Sequence, residues 1–200
     1  MSGLQGFRNA AGQRVSLPVA KLLVKTGVTP NVLTTIGLLI NLGAAAVVAA
    51  GYSLIGGLLV LLAGLFDLFD GAVARLSNKA TRFGALYDST VDRITEGALF
   101  LALAWIFLLS GNLTAVVLAF VAMVGSFLIS YIRARSEGLG IECKVGVFTR
   151  AERIGILVLG LLFNVVYYSL ILLAVLTFVT VIERMVHVWR ESRKTQGERN

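Results

Sequence analysis

The sequence of 200 residues is 57% hydrophobic and only 14% charged, with a mean hydropathy of +0.85. This composition excludes an ordinary soluble domain, in which about 25% of the residues are charged. The net charge of +7 would suit nucleic acid, but Lys and Arg also mark the cytoplasmic loops of membrane proteins, so we expect no nucleic-acid partner. We therefore predict an all-α, polytopic membrane protein with one membrane domain.

Residues 1–31 are predicted to be a juxtamembrane arm that is retained in the protein. Basic residues scattered among apolar ones are not typical of a cleavable signal. The alternation favours an amphipathic helix on the membrane surface, and a flexible tail is the alternative. Its apolar positions are Phe7, Val15, Leu17, Val19, Leu22, Leu23 and Val24.

Apolar runs at 32–50, 53–75, 84–110 and 113–132 are each long enough for a membrane span, which needs about 20 residues. The last run, 154–182, is too long for one upright helix and is interrupted from Asn164 to Ser169. We therefore predict six transmembrane helices, a membrane domain over 32–190 and a basic polar tail over 191–200.

The positive charges divide the predicted loops into two classes. All 18 Lys and Arg residues lie in the arm, around 75–93, around 133–153 or towards the C-terminus, and none lies near Gly51, Gly111 or Tyr167. By the positive-inside rule, both termini and both charged loops are cytoplasmic, in the cell membrane.

Aspartates occur in pairs on two successive predicted helices. Asp67 and Asp70 are three residues apart and Asp88 and Asp92 are four apart, so each pair lies on one helical face. A short polar turn, Leu76 to Phe83, predicts that the helices are antiparallel neighbours with four carboxylates at their cytoplasmic end. Clustered hard oxygen ligands favour Mg²⁺, Mn²⁺ or Ca²⁺.

Small residues and one arginine surround these acids. Gly71, Ala74 and Gly84 leave room for a substrate near the helix backbone. Arg75 suits phosphate recognition, because its planar fork pairs with two phosphate oxygens at once. A structural salt bridge to an aspartate is the alternative.

Two segments together resemble the signature of the CDP-alcohol phosphotransferase family. They are Asp67-Leu-Phe-Asp70-Gly71-Ala-Val-Ala74-Arg75 and Gly84-Ala-Leu-Tyr-Asp88-Ser-Thr-Val-Asp92, and all eight fixed positions are present. The resemblance implies a six-helix core and a reaction in which a CDP-linked substrate loses CMP as its phosphate-bearing group moves to an alcohol.

The resemblance also implies roles for individual residues. Metal ligands would be Asp67, Asp70 and Asp88, with Asp92 completing a second site and acting as general base, and two Mg²⁺ or Mn²⁺ ions are expected. The CDP-lipid would contact Asn31, Val32, Leu33, Thr34, Gly71, Arg75 and Thr81. Thr29 and Asn31 around Pro30 would equally well serve only to start a helix.

Cations are dense in the second charged loop, where they could hold a phosphorylated acceptor. This region resembles phosphatidylinositol phosphate synthases and their archaeal ether-lipid counterparts, which implies CDP-diacylglycerol or a CDP-ether lipid as donor, inositol phosphate as acceptor, contact with membrane lipids and a homodimer. The acceptor phosphate would contact Arg133, Arg150, Arg153 and Arg184.

Three other interpretations stay open at this point. Plain membrane topology would account for some of these arginines. Phosphatidylglycerophosphate synthases use glycerol phosphate, although a Lys commonly follows the last Asp there and this chain has Arg93. A transporter is a remote alternative, since intramembrane carboxylates also bind ions or relay protons.

Overall fold

The computed structural model describes residues 19–77, 81–146 and 148–197. Regular structure in these ranges is entirely helical, which confirms the all-α prediction. Residues 1–18 of the predicted arm, the centre of the turn at 78–80, and residues 198–200 of the tail lie outside the described residues. The helices are α1 (19–25), α2 (Pro30–Ala49), α3 (Ser53–Leu76), α4 (Arg82–Leu109), α5 (Leu113–Gly138), α6 (Arg150–Leu162) and α7 (Val166–Gly197).

In the described part of the chain, four helices have the length and hydropathy of a membrane span, namely α2, α3, α5 and α7. Helix α4 has 28 residues, but Asp92, Arg93 and Glu96 interrupt its apolar character. Helix α6 has only 13 residues. The protein is therefore a helical membrane protein, and the count of six spans stays a prediction.

The last apolar run is divided into two helices, close to where its polar interruption predicts a break. Helix α6 ends at Leu162 and α7 begins at Val166. Asn164 between them has a φ of 55°, in the left-handed region that Asn tolerates better than most residues. The chain reverses there, and α6 packs against α7.

Helix α2 packs between α3 and α4, which the sequence predicted to be direct neighbours. It packs against both of these helices, whereas α3 and α4 have no extensive backbone contact with each other in the described ranges. The prediction that they are packed neighbours is wrong in this respect. The physical reason is that α2 packs along both helices, and a cavity lies between the ends of α3 and α4 that carry the aspartates.

The apolar core lies away from the aspartates, towards the other end of the helices. Its members come from α2 to α7 and include Val48, Phe100, Leu103, Leu157 and Leu170. Helix α5 packs on α4 and α7, while α6 packs on α3 and α7. The core therefore fixes the helices at one end and leaves the other end for polar side chains.

Close packing of α5 on α7 depends on Gly125. A Cβ atom added there would lie 2.8 Å from Cβ of Thr177 and closer still to its hydroxyl oxygen. Thr177 is fully buried and bonded to the Leu173 carbonyl oxygen, so it cannot move aside. We therefore expect Gly125→Ala to destabilise the protein by about 1–3 kcal/mol, a typical effect of overpacking.

The midpoint of thermal unfolding in detergent micelles measures this effect. Gly43→Ala is the matched control, because it is also a helical glycine but has nothing within 4 Å of an added Cβ. We expect the Gly43 variant to unfold at or above the native temperature, since Ala has the higher helix propensity. Equal midpoints for the two variants would contradict the packing argument.

Candidate active site

A cavity at the end of the bundle that carries the aspartates is bounded by α2, α3 and the start of α4. Asp70 faces it from α3 and Asp88 from α4. Asn31 and Thr34 contribute from the first turns of α2, and Thr81 lies at the start of α4. Three helices therefore bring polar side chains into one opening that contains two of the four predicted metal ligands.

The start of α2 explains how its polar residues reach this cavity. Pro30 occupies the first turn, where its missing N–H costs nothing, and Thr29 makes no side-chain capping bond. Thr34 donates from its hydroxyl to Oδ2 of Asp70 at 2.8 Å. The segment from Pro30 to Thr34 therefore starts a helix and also holds an aspartate of α3.

The start of α4 is shaped by a cap and by a glycine. Thr81 accepts a hydrogen bond from the backbone N–H of Gly84 at 2.9 Å. An added Cβ at Gly84 would lie 3.2 Å from Oδ1 of Asn31 and 3.0 Å from the Thr81 hydroxyl oxygen. Glycine at this position therefore allows α2 and α4 to approach closely beside the cavity.

Arg150, the first residue of α6, joins two of the aspartates. Its Nη1 atom lies 2.8 Å from Oδ2 of Asp67 and 2.7 Å from Oδ1 of Asp92. Its Nη2 atom donates to the Thr95 hydroxyl at 3.3 Å, and its buried Nε has no hydrogen-bond partner among the described residues. One guanidinium therefore neutralises carboxylates from α3 and α4, with part of its donor capacity unused.

The four aspartates lie within electrostatic range of one another. Asp70, Asp88 and Asp92 each interact with the charge of Asp67, and Asp92 also interacts with Asp88. Such a group of like charges in an apolar bundle requires compensating cations. Arg150 supplies one, and Arg93 lies 3.5 Å from Asp92.

These side chains fit a hard divalent cation in chemistry, although they are not closed around one. Carboxylate oxygens are the ligands that Mg²⁺ and Mn²⁺ prefer. No three acidic, histidine or cysteine side chains form a compact metal cage in the described ranges. Between Asp67 and Asp92, the positive charge is that of Arg150 Nη1, so an ion that used both carboxylates would have to displace this guanidinium.

The predicted CDP-lipid residues fall into two groups. Asn31, Thr34, Gly71 and Thr81 line the cavity, and Arg75 is exposed with its guanidinium beside Gly71. Val32 and Leu33 do not line it. The side chain of Val32 is 48% exposed, and Leu33 is buried against Ala72 and Val73.

The predicted acceptor arginines are separated by their partners. Arg133 is exposed and pairs with Glu137 at 2.9 Å, whereas Arg150 contacts the aspartates. Arg184 is buried and donates to the carbonyl oxygens of Ile129 at 2.6 Å and Val145 at 3.0 Å. Arg153 is buried against Glu96. These bonds already use two nitrogens of Arg153 and two of Arg184.

Sequence reasoning missed the ionic network below the aspartates. Glu96 accepts from Nε of Arg153 at 2.7 Å, from Nη2 at 3.0 Å and from the Ser126 hydroxyl at 2.5 Å. The available signal was spacing, because Glu96 is four residues after Asp92 and Arg153 is three after Arg150. Glu96 therefore lies on the same face of α4 as Asp92, and Arg153 lies on the same face of α6 as Arg150.

A helical membrane domain with paired aspartates, small residues and an arginine around one cavity has the groups that a membrane transferase for phosphate-linked headgroups needs. Residues 27–187 match the family model described as CDP-alcohol phosphatidyltransferase. The chain belongs to this family, which confirms the interpretation of the motif and sets aside the transporter alternative.

Relatives resemble the chain over nearly its whole length. It is 33% identical to the archaetidylinositol phosphate synthase of Methanothermobacter thermautotrophicus, over 94% of this chain and 91% of that protein. It is 36% identical to the phosphatidylinositol phosphate synthase of Mycobacteroides abscessus, over 96% of this chain and 90% of that protein.

A solved structure has the same fold. The phosphatidylinositol phosphate synthase of Mycobacterium tuberculosis with CDP-DAG bound superposes with a TM-score of 0.82 at 34% identity, covering 88% of this chain and 94% of that one. The same enzyme in complex with manganese and citrate gives a TM-score of 0.82 at 33% identity, covering 87% and 88%. The resemblance to the enzymes that use inositol phosphate, rather than to the family alone, is thereby confirmed.

Proposed function

We propose that this protein transfers the phosphatidyl group of CDP-diacylglycerol, or its ether analogue, to a hydroxyl of inositol phosphate and releases CMP. The observation that carries the proposal is the arrangement of Asp67, Asp70, Asp88 and Asp92 around and beside one cavity that opens among α2, α3 and α4. The likeness to inositol phosphate enzymes along almost the whole chain supports the choice of acceptor.

The nucleotide end of the donor would enter the cavity between α2 and α4. Asn31, Thr34 and Thr81 offer hydrogen-bonding groups there, and Gly71 gives the phosphates access to the backbone of α3. Arg75 beside Gly71 would pair with a phosphate. Val32 and Leu33 would contribute through the position of α2, with exposed Val32 towards the lipid part of the donor.

Asp67, Asp70, Asp88 and Asp92 would hold two divalent ions, Mg²⁺ or Mn²⁺. When bound, such ions neutralise the pyrophosphate and stabilise the departing CMP. The manganese complex of the M. tuberculosis relative supports a metal-dependent reaction. Thr34 holds the Asp70 carboxylate in a fixed orientation from α2.

Asp92 would act as the general base. As the acceptor oxygen bonds to the phosphorus of the lipid phosphate, the bond from that phosphorus to the CMP oxygen breaks and Asp92 takes the hydroxyl proton. Arg150 contacts this carboxylate, and it would move to the acceptor phosphate once metal ions neutralise the aspartates. Arg133 is exposed and would pair with the same phosphate. Arg153 and Arg184 would contribute less, because two nitrogens of each are already bonded to protein groups.

The membrane arrangement follows from the charges in the same proposal. Six spans, with both termini and the active site cytoplasmic in the cell membrane, agree with the absence of Lys and Arg from the other loops of the sequence. The proposal also includes a homodimer and an N-terminal surface helix. Its segment boundaries are 1–31 for the arm, 32–190 for the membrane domain and 191–200 for the tail.

Release of CMP by purified protein tests the reaction. With CDP-diacylglycerol and Mg²⁺, we expect CMP and a phosphorylated inositol lipid with inositol phosphate, and at least tenfold less CMP with glycerol 3-phosphate or free inositol. Chelation of the metal should stop the release. Preferred use of glycerol 3-phosphate would identify a phosphatidylglycerophosphate synthase instead, and no CMP with any polyol would contradict the enzyme.

Asp92→Asn should lower kcat by about 10²–10⁴-fold, the usual contribution of a general base. The amide keeps the size of the side chain and one oxygen, and Asp67, Asp70 and Asp88 remain as metal ligands, so binding of CDP should fall far less than turnover. Equilibrium binding of CDP and the rate of CMP release measure the two effects. Asp92→Glu is the control, since it keeps a base and should retain more activity than the amide. Turnover close to the native rate in Asp92→Asn would remove Asp92 from this role.

Arg150→Met should raise the affinity for Mn²⁺ in the absence of substrate by about three- to tenfold. The guanidinium and the ion compete for the carboxylates of Asp67 and Asp92, and removal of the competitor favours the ion. Titration of Mn²⁺ followed by electron paramagnetic resonance measures the affinity. Arg190→Met, at an exposed arginine of α7, removes the same charge outside the site and should have no effect. Weaker Mn²⁺ binding in Arg150→Met would show that this residue supports the site instead.

A further inference from the structure

Glu96 and Arg153 form the most deeply buried ion pair that the described residues contain. Each side chain is only 1% exposed. Arg153 donates from two nitrogens to the two oxygens of the carboxylate, at 2.7 and 3.0 Å. Ser126 of α5 donates to one of these oxygens at 2.5 Å. Side chains from α4, α5 and α6 therefore meet at a single carboxylate.

This pair continues the contact between Arg150 and Asp92 one helical turn further into the bundle. On α4, Glu96 follows Asp92 by four residues, and on α6, Arg153 follows Arg150 by three. Residues at these spacings share a helix face. Two ionic contacts between the same helices therefore stand one above the other, and a rotation of α6 that disturbed the inner contact would also move Arg150.

Backbone packing relates α6 mainly to α3 and α7, and not to α4. Helices α4 and α6 contribute Phe100, Leu103 and Leu157 to the shared apolar core, and these residues follow Glu96 and Arg153 along the two helices. The helix begins at Arg150, and Thr149 just before it forms a capping box with Glu152 in its first turn. The first turn of α6 is thus fixed to α4 by side chains, of which only Arg153 is fully buried.

A buried ion pair is weak evidence for stability, because apolar residues of similar volume often serve at least as well. Its best-attested use is to fix register, since an incorrect arrangement leaves a buried charge without a partner. We infer that Glu96, acting through Arg153, is a positioning residue that fixes the turn of α6 carrying Arg150 against Asp67 and Asp92. This inference rests on the proposed function for the meaning of that position in the reaction.

Replacement of both partners separates positioning from stability. Glu96→Leu combined with Arg153→Met removes both charges, so no unpaired charge is left buried, and we expect its thermal unfolding midpoint in micelles to stay close to native. Because Arg150 would no longer be held between the two aspartates, Mn²⁺ should bind about as tightly as in Arg150→Met. The KM for inositol phosphate should rise about tenfold, while the KM for the CDP-lipid should change less than twofold.

The decisive measurement combines the variants in a cycle. In the native background, Arg150→Met raises Mn²⁺ affinity three- to tenfold, as predicted above. On top of the apolar pair, the same substitution should change it less than twofold, because Glu96 and Arg153 act through Arg150. An equal change in both backgrounds would overturn the inference and reduce the pair to a structural element. Glu191→Gln with Lys194→Gln, at an exposed pair on α7, is the control and should leave every value unchanged.

Glu96→Asp provides a second route if the apolar pair does not fold. It keeps the charges but withdraws the carboxylate by one methylene, and it should show a smaller shift with a correspondingly smaller loss of additivity. The Mn²⁺ cycle and CMP release are separate measurements. Non-additive Mn²⁺ binding without CMP release would contradict the proposed function alone, and CMP release with additive binding would contradict the positioning role alone.

Discussion

An ionised side chain in an apolar helix bundle needs a compensating partner, and this requirement organises the end of the protein that carries the aspartates. Asp67, Asp70, Asp92 and Glu96 each contact a side chain from another helix. Thr34 of α2 bonds to Asp70 of α3, Arg150 of α6 contacts Asp67 and Asp92, and Arg153 contacts Glu96. These contacts relate four helices to one another around the cavity, while the apolar core fixes the opposite end.

The helices and the family could be predicted from the sequence because both depend on local patterns. Apolar runs and spacings of three and four residues specify helices and their polar faces. The sequence could not show that α3 and α4 are separated by α2, because the order of helices along the chain does not say which helix packs between two others. Thr34, together with the close approach of Gly37 to Asp67, places α2 there.

The different roles of the arginines could not be predicted from the sequence either. The sequence places Arg133, Arg150 and Arg153 in one basic loop and Arg184 at the end of the last apolar run, and charge alone gives no reason to assign them different roles. In the structure, burial and partners distinguish them, since Arg153 has a carboxylate partner, Arg184 has carbonyl partners and Arg133 is exposed. Which arginine meets which partner is a property of tertiary packing, so a sequence pattern can predict a basic surface but not its division of roles.

The two ionic contacts between α4 and α6 differ in how easily they can be exchanged. Arg153 uses Nε and Nη2 in a bidentate pair from which solvent is excluded. Arg150 is 26% exposed, shares Nη1 between two carboxylates and leaves Nε without a hydrogen-bond partner among the described residues. A phosphate could accept from Nε and Nη2 of Arg150 together, which the aspartates do not. Arg150 would therefore gain hydrogen bonds on moving from carboxylate to phosphate, whereas Arg153 would give up its bidentate pair with Glu96. The contact of Arg153 with Glu96 would thus keep α6 in register, while Arg150 at the start of the same helix is able to change its partner.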